Sequence, residues 1–336
     1  MLLRRELEER EFRELSSLAT KSSESKGREM PEEKCELRTD FQRDRDRIIH
    51  SKSLRRLMHK TQVFLSPEGD HFRTRLTHTL EVSQISRIIA RSLGLNEDLA
   101  EAIAMGHDLG HTPFGHNGED SLNKVHKPGF KHNEQSLRVV ELLENTSFGR
   151  GLNLTCEVRD GILNHTGENL PATLEGQIVR ISDRIAYINH DIDDALRAKI
   201  IRESDLPKKC IKVLGKTNRA RINTLVIDIV KNSESKPIIV QSDECSYHMN
   251  LLRDYMFENV YKSHIVKKHE ELYKIEKMID ALYQYFVENP KNMPKECQIM
   301  IDEFGIFEVV KDYIAGMTDR YAINVYSEIF IPKGWK

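Results

Sequence analysis

The segment from Ala104 to Glu119, A-M-G-H-D-L-G-H-T-P-F-G-H-N-G-E, gathers His107, Asp108, His111, His116 and Glu119 into one short stretch. Histidine supplies a neutral nitrogen ligand or a proton-transfer group near neutral pH, and a carboxylate supplies a hard anionic ligand or a base. Side chains of these types at this density equip a site for metal-assisted hydrolysis.

The elements around the segment decide which of these groups meet. A helix expected to begin near Thr77 places His78 on one face with Val82, Ile85 and Ile89, at offsets of four, seven and eleven residues. Asn96 is placed to cap a second helix with apolar residues Leu99, Ala102 and Ile103. His107 lies four residues beyond Ile103, past the helix end that Gly106 disturbs. A third helix, over Leu174–Leu196, carries Ile178, Val179, Ile181, Ile185, Ile188 and Ile192, apolar on most sides as in a helix buried within a bundle. Asp183 sits inside that run, where an unpaired carboxylate is strongly disfavoured or forced neutral. It needs a cation, either a metal or a base such as the adjacent Arg184.

A single histidine above an apolar stripe is ordinarily a hydrogen-bonded core residue. Here the context favours one divalent ion held by His78, His107, Asp108 and Asp183. Mixed nitrogen and oxygen donors suit manganese, iron, cobalt, nickel or zinc, and magnesium less naturally; manganese is the first choice. Asp183, Tyr187, His190, Asp191 and Asp194 form one hydrophilic stripe on the third helix, as expected of a helix that lines a site, although His190 and Asp194 are equally readable as internally satisfied.

The chain as a whole sets few restrictions on partners. Its 336 residues are 39% hydrophobic and 31% charged with a net charge of −2, so no global field argues for nucleic acid or membrane. The five cysteines form no C-x-x-C pair, which disfavours a zinc ribbon or a disulfide framework. With no apolar run approaching the ~18 residues of a spanning helix and no leader-like start, a cytoplasmic location is expected. Residues 1–35 are rich in Glu, Arg, Lys and Ser and read as a mobile or partner-dependent arm. Helical spacing recurs over Leu251–Tyr261 and Ile275–Phe286, and Pro237–Gln241 is the one β-like run, so the expected fold class is mostly α. Gly215-Lys216-Thr217 fails as a phosphate-binding loop because Cys210 stands where that motif needs its first glycine.

Longer motifs sharpen the reading. R-T-R-L-T-H at 73–78, H-D-L-G-H-T-P-F-G-H at 107–116, R-R-L-M-H-K-T-Q-V-F at 55–64, F-K-H-N-E-Q-S at 130–136 and T-L-E-G-Q-I-V-R-I-S-D-R-I-A-Y at 173–187 resemble the HD-domain phosphohydrolases, and among them the dGTPase-like deoxynucleoside triphosphate triphosphohydrolases. The match is dense over 38–200 and looser beyond, through L-L-R-D-Y-M-F-E-N-V-Y at 251–261. The resemblance implies a helical HD-domain catalytic core over 36–200 and a mainly helical C-terminal region over 201–336 packed on it. It implies hydrolysis of a dNTP at the α-phosphorus, giving deoxynucleoside and tripolyphosphate. It also implies His116 and Glu119 as the catalytic dyad, with His111 and His132 facing phosphate. Arg75 and Arg184 would contact the triphosphate, with Lys60 and Arg56 as weaker candidates. Gln62 and Asp191 would meet the sugar 3′-hydroxyl, and Tyr187 would lie under the deoxyribose and exclude a 2′-hydroxyl. A homo-oligomer with dNTP effectors is the further implication. Two alternatives stand beside it: an HD hydrolase acting on another phosphate ester, such as a deoxynucleoside monophosphate, and a nucleotide-sensing or nucleic-acid-binding module without turnover.

Overall fold

The computed structural model describes residues 3–62, 73–146, 149–261 and 269–332. Val63 and Phe64 of the K-T-Q-V-F block lie outside the described residues. Helices dominate; among the described residues the strands are Asn145–Thr146 and Gly149–Arg150, a short antiparallel pair. The mostly α expectation therefore holds. The β-like run Pro237–Gln241 forms no strand, since its polar backbone is satisfied by side chains: Ile239 N–H donates to Gln177 Oε1 (3.1 Å) and Val240 N–H to Ser233 Oγ (2.9 Å). No helix among the described residues is long and apolar enough to cross a membrane.

The bundle that carries the histidines packs Asp40–His50, Arg75–Ser92, Glu97–Gly106, Cys156–Asn164 and Leu174–Arg197 against one another. The expected stripe is realised: Val82, Ile85 and Ile89 are buried in the same face as His78, whereas Leu80 and Ile88 are exposed. Asn96 caps the next helix by accepting from Leu99 N–H, and Thr173 caps Leu174–Arg197 by accepting from Gly176 N–H. Each cap fixes where its helix starts, and therefore which side chains face inward.

Apolar packing does not pause at residue 200. Cys210, Leu214, Leu225, Ile229, Met249 and Met256, from helices within 208–256, share one core with the bundle. A second core joins Phe114, Leu122 and Phe130 to Ile279, Leu282, Phe286, Val310 and Ile314. The helix Gly115–Val125 thus packs on His269–Glu288, and the segment holding His116 is built against the C-terminal region.

Residues 16–28, which their composition assigns to a mobile arm, are tied to the bundle by buried carboxylates. Glu175 accepts from Thr20 N–H (3.0 Å), Thr20 Oγ (2.9 Å) and Asn96 N–H (3.0 Å); Glu157 accepts from Ser25 Oγ (2.7 Å) and Lys26 N–H (2.8 Å). Arg28 pairs with the buried Asp44, which also accepts from Thr155 N–H (2.8 Å). Each of these acids would be costly to bury alone, so docking of the segment satisfies groups that the bundle already contains.

Candidate metal centre

His107 follows the last residue of Glu97–Gly106, and its Nδ1 donates to the Ala104 carbonyl at 2.6 Å. A carbonyl can only accept, so Nδ1 carries a proton, and in the neutral ring the lone pair is at Nε2. That Nε2 is buried, has no hydrogen-bond partner among the described residues, and lies 3.5 Å from Asp108 Oδ1 and 4.0 Å from Asp183 Oδ1. His78 Nε2 sits 3.1 Å from Asp183 Oδ1 and 3.9 Å from Asp108 Oδ2. All four expected ligands therefore converge from three helices. An orphaned imidazole nitrogen beside two carboxylates is a donor set that fits a divalent cation. Burial works against ionising Asp183, yet His78, then His107 and His165, hold its carboxyl well below the usual carboxylate range. The expected alternative, a pair with Arg184, is not formed: Arg184 Nη2 donates to Asn250 Oδ1 at 3.0 Å.

A second group adjoins this one through Asp108. His111 Nε2 is 3.3 Å from Asp108 Oδ1, and its ring stacks on His132 with centroids 4.0 Å apart. Glu119 accepts from the His132 backbone N–H (2.9 Å) and from its Nδ1 (2.9 Å), and lies 3.5 Å from His116 Nδ1. Glu119 is thus shared, and its tighter partner is His132 rather than His116. His111 is 2% exposed on its side chain and His116 is 70% exposed, so His116 stands at the open side of the cluster.

Spacing did not single out His165, although it follows Val158 and Ile162 on one helical face and that stripe was readable. Its Nδ1 donates to the Ile162 carbonyl (2.7 Å) and its Nε2 lies 3.3 Å from His132 Nε2. Burial, then the neighbouring His107 and His132, push its pKa down to about 3, so His165 is neutral and can only accept at Nε2. The proton between the two rings therefore belongs to His132. Burial alone would lower the His132 pKa, but Glu119 outweighs it and leaves it raised. The result is a line from carboxylate through imidazolium to neutral imidazole.

Other expected contacts vary. Arg75 is buried and spends Nη1 on Asp108 Oδ2 (2.8 Å), while its Nε and Nη2 have no partner among the described residues and remain available to an anion. The Gln62 backbone lies beside Gly115, whose added Cβ would stand 2.8 Å from the Gln62 carbonyl, and Gln62 Oε1 is buried without a partner among the described residues. Tyr187 and Asp191 stand one and two turns beyond Asp183 on the same helix. Asp191 accepts from the Tyr261 hydroxyl. His190 is held by Glu81 (Nδ1 to Oε2, 2.6 Å) and packs its ring nearly perpendicular to that of His78, with centroids 4.9 Å apart. Lys60, a weaker phosphate candidate, is buried and donates to the carbonyls of His111 and Ala315.

Residues 75–188 match the HD domain, and residues 239–328 match the phosphohydrolase-associated domain. A deoxyguanosinetriphosphate triphosphohydrolase-like protein of Caldanaerobacter subterraneus subsp. tengcongensis is 58% identical over 335 residues, covering 100% of this chain and 98% of that one. Proteins of the same description from Clostridium perfringens and Clostridium tetani are 49% and 46% identical, each covering 99% of this chain and, respectively, 99% and 97% of their own lengths. A solved hypothetical protein from Aquifex aeolicus, 18% identical, aligns with a TM-score of 0.48 over 86% of this chain and 68% of that one.

Proposed function

This chain belongs to the deoxyguanosinetriphosphate triphosphohydrolase-like family of HD-domain proteins, and from that membership we propose that it hydrolyses dNTPs at the α-phosphorus to deoxynucleoside and tripolyphosphate. The observation that carries the reading is the shared Asp108, which joins a donor set fitted to a divalent ion to a histidine group organised by Glu119. His78, His107, Asp108 and Asp183 would hold the ion. When bound, a divalent ion, manganese first, supplies Lewis-acid polarisation of a phosphoryl oxygen.

The chain's own side chains do the rest. Arg75 binds phosphate oxygens through the donors not used on Asp108, with Arg184 swinging from Asn250 to a second oxygen. His111 and His132 face the α-phosphate. Glu119 orients His116, the exposed imidazole, which exchanges a proton with the attacking water or the departing 5′-oxygen. Gln62 and Asp191 take the 3′-hydroxyl, and Tyr187 closes the sugar side against a 2′-hydroxyl. Other dNTPs as effectors, a homo-oligomeric assembly and a cytoplasmic setting belong to the same reading, as does the division into a catalytic core over 36–200 and a C-terminal region.

The test is a screen of each dNTP, singly and in pairs, with manganese and the other first-row ions. We expect deoxynucleoside and tripolyphosphate in equal amounts from at least one combination. Orthophosphate released from deoxynucleoside monophosphates, with dNTPs inert, would replace this reading by the phosphomonoester alternative. Binding of nucleotides or nucleic acid with no turnover of either would replace it by the sensing module.

A further inference from the structure

The loop that carries the candidate dyad is not held by the bundle alone. Phe114, the residue before helix Gly115–Val125, adopts the left-handed conformation with φ +63°, and Gly115 follows at φ +57°. A non-glycine residue keeps such a conformation only when its surroundings dictate it. The Phe114 side chain is anchored in the second core, and its N–H donates to Asp319 Oδ1 at 2.9 Å. The other oxygen of the same carboxylate, Oδ2, accepts from Thr61 N–H (3.1 Å) and from the Thr61 hydroxyl. Thr61 precedes Gln62 and bridges to Thr74, at the start of the helix bearing Arg75 and His78. Asp319 is itself 7% exposed and opens the helix Asp319–Phe330, whose N-cap Thr318 accepts from Tyr321 N–H.

Two further contacts tie the same turn of the C-terminal region to the site. Lys60 bridges the carbonyls of His111 and Ala315, and Arg56 Nη1 donates to the Gly316 carbonyl (3.2 Å). Residues 315–319 therefore grip both the strand-like segment 60–62 and the loop 111–116. Among the described residues, no hydrogen bond or ion pair joins this turn to the four candidate metal ligands.

We infer that Asp319 is a positioning residue of the active site, which sets the spacing between the Gln62 segment and the His116 loop by accepting from both with one carboxylate. The inference rests on the proposed reaction for its kinetic consequence, but the grip itself is independent of substrate. A carboxylate suits the role because it accepts three hydrogen bonds at once and donates none. The C-terminal region, on this account, is part of the catalytic apparatus rather than a passive neighbour.

The test compares wild-type full-length protein with D319A, D319N and Thr61→Val by amide hydrogen exchange and by steady-state kinetics on the best dNTP of the screen. In D319A, exchange at 114–118 and 60–62 should accelerate by about tenfold or more while helix Leu174–Arg197 keeps its wild-type protection. Its kcat should fall by about 100-fold with KM changed far less, the scale expected when a reacting group is misplaced by about 1 Å. D319N retains one acceptor, so it should restore protection at Phe114 and part of kcat but leave 60–62 loosened. Thr61→Val removes only the hydroxyl contact and keeps the inference testable if D319A does not fold; its exchange should quicken at 60–62 alone. A folded D319A with wild-type exchange in both segments, or with wild-type kcat, would overturn the inference. If wild-type protein hydrolyses no dNTP, the proposed function fails, and the exchange data still decide whether Asp319 grips the loop.

Discussion

Asp183→Ala is expected to abolish both metal binding and hydrolysis, with kcat/KM reduced by ~10³-fold or more, equivalent to about 4 kcal/mol of transition-state stabilisation. The effect is large because Asp183 is the proposed ligand on the third helix. It lies 3.1 Å from His78 Nε2 and 4.0 Å from His107 Nε2, and without it one of the two carboxylates of the donor set is lost. Fold loss is not the expected cause. Helix Leu174–Arg197 is anchored by Ile178, Val179, Ile185, Ile188 and Ile192, all buried, and Asp183 itself contributes no apolar contact to that core. A thermal-shift titration with manganese separates the explanations. Ligand that binds only the folded state raises the wild-type midpoint by mass action, and the variant should unfold at one temperature whatever the metal concentration. A variant that still responds to metal at wild-type concentrations would remove Asp183 from the ligand set.

Glu119→Gln is expected to lower kcat by ~10²- to 10⁴-fold while metal affinity stays near wild type. Glu119 fixes the His132 ring and backbone and faces His116, so the neutral amide disturbs two imidazoles at once. Burial disfavours its charge, but His116 and His132 hold its carboxyl well below the usual carboxylate range, and it is an anion throughout the neutral pH range. An amide neither orients His132 with the same strength nor favours its protonated form, so the donor line to His165 is weakened as well. His116→Ala should produce a loss of similar size, and the double variant should cost little more than either alone, since residues acting as one unit are not additive. If the two losses multiply, His116 and Glu119 act separately and the dyad assignment is wrong.

How far these residues were legible depended on distance along the chain. His78, His107 and Asp183 rose from apolar stripes at helical spacing, and those stripes are the buried faces that bring them together. His165 lay on a comparable stripe with Val158 and Ile162 but stood alone in its segment, where a lone histidine reads as an ordinary core residue. Asp319 was not legible at all, because its partners Thr61 and Phe114 lie 258 and 205 residues earlier and no local period links them. The same holds for residues 16–28, whose composition suggests an arm; the acids that hold them, Glu157 and Glu175, lie 132 and 155 residues away. The alternative to a metal at Asp183, a pair with the adjacent Arg184, does not form, because neighbours along a helix point about 100° apart and Arg184 reaches Asn250 instead.

The central claim is attack of water on the α-phosphorus with the triphosphate leaving intact. Hydrolysis of the preferred dNTP in ¹⁸O-labelled water tests it most directly. The account predicts one labelled oxygen in the tripolyphosphate and none in the deoxynucleoside. Label in orthophosphate or pyrophosphate, with a deoxynucleoside diphosphate or monophosphate as the other product, would contradict it.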